Sequence, residues 1–497
     1  MAKSMLSTQT EGASRAQIER ADAWLLVTAE HLRSPAWRAL PHGDVLKSRM
    51  RRRGTSALGT LLVTDLPCPR GTRVVQYAQK HGASAFERLS AARRAAGEIL
   101  QCKAADVLIS AVGFSNAEQG AVLEALVAAL LAQLAELPTR KREATPAPRL
   151  RRMRVCGAPA DWHALRSEAE AEGNALARAL SLLPANELTP GNYRERARQL
   201  AQQYGWRYEF LDHAALARRK AGAFLAVVAG SAEADAGILH LRYQPPRTRG
   251  RAPLALVGKG ICFDTGGINL KSAKHMLGMH EDMQGSAVAL GTLLALTRLA
   301  VDFPVECWLA LAQNHIGPRA YKPNDVVHAM DGTSIEIVHT DAEGRMVLAD
   351  TLTLASLRKP ALIIDYATLT GACIDALGKH YSGVFTNRDD LHGVLIEAGR
   401  ASGERVWPFP QDEDYDRMLD SGIADIRQCS ADNEADHILA ARFLRRFVKN
   451  DVPWVHLDLS AASVKGGLAH IPTETTGFGV RYSLNLLLEQ RLMEKLM

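Results

Sequence analysis

The 497-residue chain holds 7 cysteines and no Cys-x-x-Cys pair, which argues against a zinc ribbon or a dithiol redox centre. Cys68, Cys102, Cys156, Cys262, Cys307, Cys373 and Cys429 are scattered and odd in number, the pattern of reduced thiols, so a cytoplasmic location is expected. No apolar run reaches the roughly 20 residues that a membrane span needs. The most apolar stretch, 121–137, is interrupted by Glu124 and Glu136 and suits a helix packed on a sheet. The first ten residues contain no apolar core of a signal peptide, and secretion is not expected. Familiar catalytic strings are missing too. There is no Gly-x-Ser-x-Gly elbow, and His280-Glu281-Asp282-Met283-Gln284 lacks the second histidine of a one-metal zincin. Gly258-Lys259-Gly260 lacks the remaining spacing of a phosphate loop or a dinucleotide fingerprint.

What is present is the composition of a folded chain with ample core, 47% hydrophobic and 23% charged. Its length favours two or more domains. Residues 1–155 carry 24 Lys and Arg against 13 Asp and Glu, a net of +11, so the remainder is −5 within a total of +6. Strand-like runs at 57–63 and 107–112 alternate with a helical stretch at 85–100, and strands near 254–258, 305–311 and 361–367 alternate with one at 286–299. The expected fold is α/β in two domains. A smaller, basic N-terminal α/β domain covers 1–155, and a linker with a connecting helix covers 156–185. A larger C-terminal α/β domain, 186–497, has a central mixed sheet flanked by helices.

Chemistry concentrates in two clusters. In His339-Thr340-Asp341-Ala342-Glu343-Gly344-Arg345 two carboxylates stand two residues apart, after the alternating Ser334-Ile335-Glu336-Ile337-Val338. Read as an extended segment, Asp341, Glu343 and Arg345 face one volume. The second cluster follows the apolar run at 254–257. Gly258-Lys259-Gly260-Ile261-Cys262-Phe263-Asp264-Thr265-Gly266-Gly267-Ile268-Asn269-Leu270-Lys271 adds one carboxylate and two lysines, and Asp282 comes shortly after. Four carboxylates gathered in one place repel unless cations neutralise them, which predicts two divalent metals. Cys262 is expected to fill space on the opposite face.

These two segments, with Asp365-Tyr366-Ala367-Thr368-Leu369-Thr370-Gly371-Ala372 and Trp454-Val455-His456-Leu457-Asp458, resemble the signatures of the leucyl aminopeptidase family, also called cytosol aminopeptidases. The resemblance covers roughly residues 175–490. It implies an aminopeptidase that hydrolyses the N-terminal residue of peptides with a two-metal-activated water, favouring leucine-like side chains, so that 186–497 is a catalytic metallopeptidase domain. It implies that Lys259, Asp264, Asp282 and Glu343 hold one metal and Asp264, Asp341 and Glu343 the other, with Zn or Mn as the expected ions. Lys271 would stabilise the oxyanion, and Arg345 would anchor a bicarbonate that shuttles protons. Met279, Thr368, Leu369 and Gly371 would line the substrate pocket. Peptides with a free N-terminus are the expected partners, and the family's homohexamer the expected assembly.

The chain departs from the family pattern close to the site. His339 replaces an asparagine, Gln284 a glycine, and Glu281 an aromatic or small residue. Ser430-Ala431-Asp432-Asn433-Glu434-Ala435-Asp436 stands where a glycine-rich turn is usual, and Leu459-Ser460-Ala461 where Ile-Ala-Gly is usual. None of these changes removes a ligand. Two other function classes compete: a catalytically silent scaffold of the same fold, and DNA binding through the basic runs at 47–53 and 140–154.

Overall fold

A computed structural model describes residues 5–53, 59–143, 149–246, 248, 251–432 and 434–496. The chain forms two compact units. The first comprises Met1–Ala171 with Gly466–Thr473, and the second Glu172–Lys465 with Glu474–Met497. The fold is α/β in both. The division falls inside the helix Ala164–Ser181, and composition gave no sign that a short segment near the C-terminus joins the first unit.

The first unit is built on six strands, β1 (Leu6–Gln9), β2 (Ala23–Ala29), β3 (Leu62–Asp65), β4 (Arg73–Gln79), β5 (Asp106–Val112) and β6 (Arg152–Cys156), in the order β1-β6-β5-β2-β4-β3. Every residue of β2 is buried, as expected of a central strand covered on both faces. The helices Ala85–Gln101 and Asn116–Leu134 each begin with a serine and a glutamate three residues on, which cap each other's backbone donors. The expected apolar helix is thus found at Asn116–Leu134. It is long and apolar enough to cross a membrane, yet nine of its residues, all between Val122 and Ala132, are buried within this unit. The strand expected at 57–63 is found at Leu62–Asp65, with residues 57 and 58 outside the described set. The basic helix Gly43–Arg53 directs Arg49 to the Thr64 hydroxyl and the Asp65 carbonyl.

The second unit has a mixed eight-stranded sheet. Its strands are β7 (Arg207–Asp212), β8 (Gly237–Tyr243), β9 (Leu254–Asp264) and β10 (Val305–Asn314), then, past a small sheet of β11 (Val326–His328) and β12 (Ser334–Glu336), β13 (Leu362–Ala367), β14 (Ser382–Thr386) and β15 (Val406–Pro408), and finally, after the short β16 (Ile426–Arg427) that completes the small sheet, β17 (Trp454–Asp458). The order is β15-β14-β17-β13-β9-β10-β8-β7. The four central strands β17, β13, β9 and β10 run parallel, and antiparallel pairs flank them. The helix Gln284–Arg298 packs on β9, β10 and β13, and Glu343–Leu357 packs on the same strands. Both helices are buried along almost their whole length. The strands expected at 254–258 and 305–311 run further, to Asp264 and Asn314, so Lys259 lies within a strand and not in the loop after it.

Candidate metal centre

The heptad does not continue the strand, which corrects the expectation of an extended segment. Residues 340 and 341 form a turn, and the helix Glu343–Leu357 starts at once. Asp341 and Glu343 converge because one sits in the turn and the other in the first helical turn. Gly344 is required there. A Cβ at this position would meet Lys259 Cε at 2.6 Å and Nζ at 2.8 Å, so any larger residue would push the lysine amine out of its place among the carboxylates.

A break in β9 brings Asp264 to the same place. Lys259 and Asp264 are five residues apart, which in a regular strand puts them on opposite faces. In the pairing of β9 with β10, Ile261 faces Ala312 and Asp264 faces Asn314, so three steps on β9 match two on β10. The extra residue is a bulge, and it turns Asp264 to the side of Lys259. Asn314 Nδ2 and the Gly266 amide then donate to Asp264 Oδ1 at 2.8 and 2.9 Å. Oδ2 is left pointing at the cluster. Asp282, between the short turn Met279–Glu281 and the helix Gln284–Arg298, accepts from the Thr368 hydroxyl at 2.8 Å.

One ligand atom each of Asp264, Asp341 and Glu343 lies within 4.8 Å of the others. Lys259 Nζ is 2.8 Å from Asp282 and 3.0 Å from Glu343, and Lys271 Nζ is 2.8 Å from Asp264 and 2.5 Å from Asp341. Four carboxylates against two ammonium groups leave an uncompensated buried negative charge, and Glu343 Oε2 is buried with no hydrogen-bond partner. Burial, reinforced by the neighbouring carboxylates, pushes Asp282 up to about 6, Asp341 to about 7 and Glu343 to about 8. Burial works against the charge of each lysine, but the surrounding carboxylates outweigh it and raise both pKa values. Hard oxygen donors with orphaned lone pairs fit divalent cations. Lys259 would ligate only as the free amine, and an adjacent dication favours loss of that proton.

This cluster forms the floor of an open cavity of about 1000 Å³. Every site residue expected from the sequence lines it, including Met279, Thr368, Leu369 and Gly371, with the exception of Arg345. The Arg345 guanidinium is buried and turned to Asp436 and the Gln428 carbonyl. Cys262 is fully buried and outside the cluster, as expected. Of the departures, Gln284 is accommodated by donating to Glu281 Oε2 at 3.1 Å and to the Ser463 hydroxyl at 3.3 Å. His339 uses Nδ1 to accept from the Asp341 amide at 3.3 Å.

Several supporting groups carried no assigned role. Asn269 and Thr340 exchange hydrogen bonds between the two motifs: the Asn269 amide donates to the Thr340 hydroxyl and the Thr340 amide to Asn269 Oδ1, at 2.8 and 2.9 Å. The Tyr321 hydroxyl and Asn314 Nδ2 both donate to the Thr340 carbonyl. Buried Asp458 accepts from the amides of Leu369 and Thr370 and from the Thr370 hydroxyl, fixing the loop that lines the cavity. Asn269, Thr340 and Asp458 carried the signal of lying inside the motifs, whereas Asn314 and Tyr321 lie outside them and had none.

Residues 175–484 match the family model described as the cytosol aminopeptidase family, catalytic domain. A probable cytosol aminopeptidase of Syntrophotalea carbinolica is 42% identical over 325 residues, 63% of this chain and 63% of its own length. One of Syntrophobacter fumaroxidans is 38% identical over 414 residues, 81% and 82% of the two chains. Among solved structures, a tomato leucine aminopeptidase mutant superposes with a TM-score of 0.86 at 28% identity, covering 98% of this chain and 97% of that one. The bottromycin maturation enzyme BotP in complex with Mn gives 0.82 at 30% identity, covering 95% and 100%. The chain thus spans a little under two thirds of the first relative and nearly all of the two structures.

Proposed function

The chain belongs to the cytosol aminopeptidase family, and on that premise we propose that it is a metal-dependent aminopeptidase removing the N-terminal residue of peptides. The carrying observation is the convergence of Asp264, Asp282, Asp341 and Glu343, drawn from three separate segments, around two lysines on the floor of one cavity. Lys259, Asp264, Asp282, Asp341 and Glu343 would hold two divalent ions, with Zn and Mn the candidates for this ligand set. Such ions supply a water acidified to neutral pH and polarise the peptide carbonyl. Lys271, kept protonated by Asp264 and Glu343, is suited to donate to the oxyanion that develops on that carbonyl. A free substrate amine bound at the cluster accounts for cleavage at chain ends.

Met279, Leu369 and Gly371, which line the cavity with Thr368, offer apolar surface for an aliphatic side chain of the leucine type. Glu281, Gln284 and Ser463 line the same cavity, with Glu281 Oε2 accepting from Ser463 at 2.5 Å. The seven cysteines are free, which supports a reducing, cytoplasmic setting. Assembly as a homohexamer belongs to the same reading and is supported by apolar side chains left exposed near the cavity, Ile268, Leu270 and Leu277. DNA binding and a silent scaffold are not favoured by these relatives. The test is cleavage of Leu-p-nitroanilide with added Mn or Zn, against a Glu343→Ala control and an N-acetylated substrate. Turnover that ignores either control would refute the proposal.

A further inference from the structure

A bicarbonate at Arg345 is part of what the family resemblance implies, and the residues around this arginine do not fit one. Arg345 sits in the first turn of the helix that begins with Glu343 and is 2% exposed. Its Nη2 is 2.7 Å from Asp436 Oδ1, and its Nη1 donates to the Gln428 carbonyl at 3.2 Å. Asp436 opens the helix Asp436–Arg445 and follows Ala435, which lies in the left-handed region at φ 51°. This segment is the one that stands where a glycine-rich turn is usual.

Gln428, just before this segment, is tied to the heptad as well. Gln428 Oε1 accepts from the amides of Val338 and His339, and its Nε2 donates to the Ala342 carbonyl at 3.0 Å. The turn and helix start that carry Asp341 and Glu343 are therefore held by Gln428 and Asp436. A planar carboxylate and a bicarbonate carry the same single negative charge and offer the same two-oxygen edge to a guanidinium fork. Asp436 Oδ1 takes one arm of that fork and the Gln428 carbonyl the other, so a second anion must share one buried cation with a neighbouring like charge, and it loses its hydration in doing so. Arg345 Nε remains buried without a partner, but this single donor leaves a second anion with no charge to neutralise.

Resting on the aminopeptidase reading, we propose that Asp436 is the resident anion of Arg345, a positioning residue built into the chain where an exogenous bicarbonate would otherwise bind. Its carboxylate holds the guanidinium, and through it the start of the ligand-bearing helix. The protein works without added bicarbonate and has no saturable site for it.

The test uses the full chain in CO2-free buffer, titrated with bicarbonate and followed by 13C line broadening of labelled bicarbonate, by calorimetry and by peptide cleavage. Wild type is expected to show no saturable binding and no activation. Asp436→Gly is expected to bind bicarbonate and to lose about 10–100-fold in kcat, the usual cost of removing an outer-shell partner of a metal site. Added bicarbonate or formate should restore that loss. Asp436→Asn keeps the shape without the charge and should lose activity with weaker rescue. Saturable bicarbonate binding to wild type overturns the proposal without any variant. So does an Asp436→Gly protein that folds, binds no anion and cleaves normally. If no form cleaves any aminoacyl substrate, the peptidase reading falls, while the binding measurements still decide the anion.

Discussion

The two ends of the carboxylate cluster differ in how deeply their lysines are set. Lys259, Asp282 and Glu343 have side chains 4%, 8% and 2% exposed, whereas Lys271 and Asp341 are 14% and 28% exposed. At the deep end the lysine runs against Gly344 at the helix start, where a Cβ would displace it. At the shallow end the lysine borders the cavity and touches the two acids from the solvent side. Position and not residue type separates the roles. An amine locked among carboxylates is placed to become a ligand, and one at the rim is placed to reach a substrate.

Breaking the shared acid should have the largest effect. Glu343→Ala removes a carboxylate that both ends use, and cleavage is expected to fall to the rate of buffer, with bound metal measured by elemental analysis falling together with it. Lys271→Met should lower kcat by roughly 10²–10³-fold, the cost of one lost oxyanion donor, while two ions remain bound. Lys259→Met should do the converse, lowering metal stoichiometry before chemistry is considered. If both lysine variants lost the same number of ions, the distinction between the two ends would fail.

A smaller effect concerns pH. In the ion-free protein the native carboxyls at 341 and 343 take up protons up to about 7 and about 8, above their unfolded values near 4. The native state therefore binds more protons in that interval, and stability falls as pH rises through it. Both lysines are protonated in native and unfolded states over the same range and contribute nothing. The melting temperature of EDTA-treated protein should be lower near pH 8 than near pH 6, and Mn or Zn should abolish the difference. An apoprotein more stable at the higher pH would contradict this charge balance. The smallest effect is expected at Glu281. Glu281→Ala, which removes a cavity-lining acceptor, should leave cleavage of Leu-p-nitroanilide within a few-fold and lower the relative rate on Lys-p-nitroanilide. An unchanged ratio would remove Glu281 from specificity.

Much of the site was legible because its ligand types are rare in apolar surroundings. Asp264 and Lys259 interrupt a buried strand, and Asp341 and Glu343 precede a buried helix, so their charges needed partners. The β13 and β10 cores were legible from continuous apolar runs. Three features were not. The bulge between Ile261 and Asp264 leaves no mark in a run whose every residue is compatible with a strand. The helix starting at Glu343 lacks a side-chain cap, so the usual start signal is missing and an extended reading is natural. Asp436 lies 91 residues from Arg345, and nothing local to either announces the pair.

The sequence by itself determined which groups had to be neutralised: two lysines and four acids set among apolar residues cannot be buried alone, and that holds for any fold that buries them. Only the tertiary structure decided which cation meets which acid. A one-residue bulge sets the face on which Asp264 appears, and a helix brought in from 91 residues away hands Arg345 its carboxylate. Side-chain direction depends on backbone registry, and contacts at long separation depend on chain path, and neither quantity is encoded in the identity of the residues that meet.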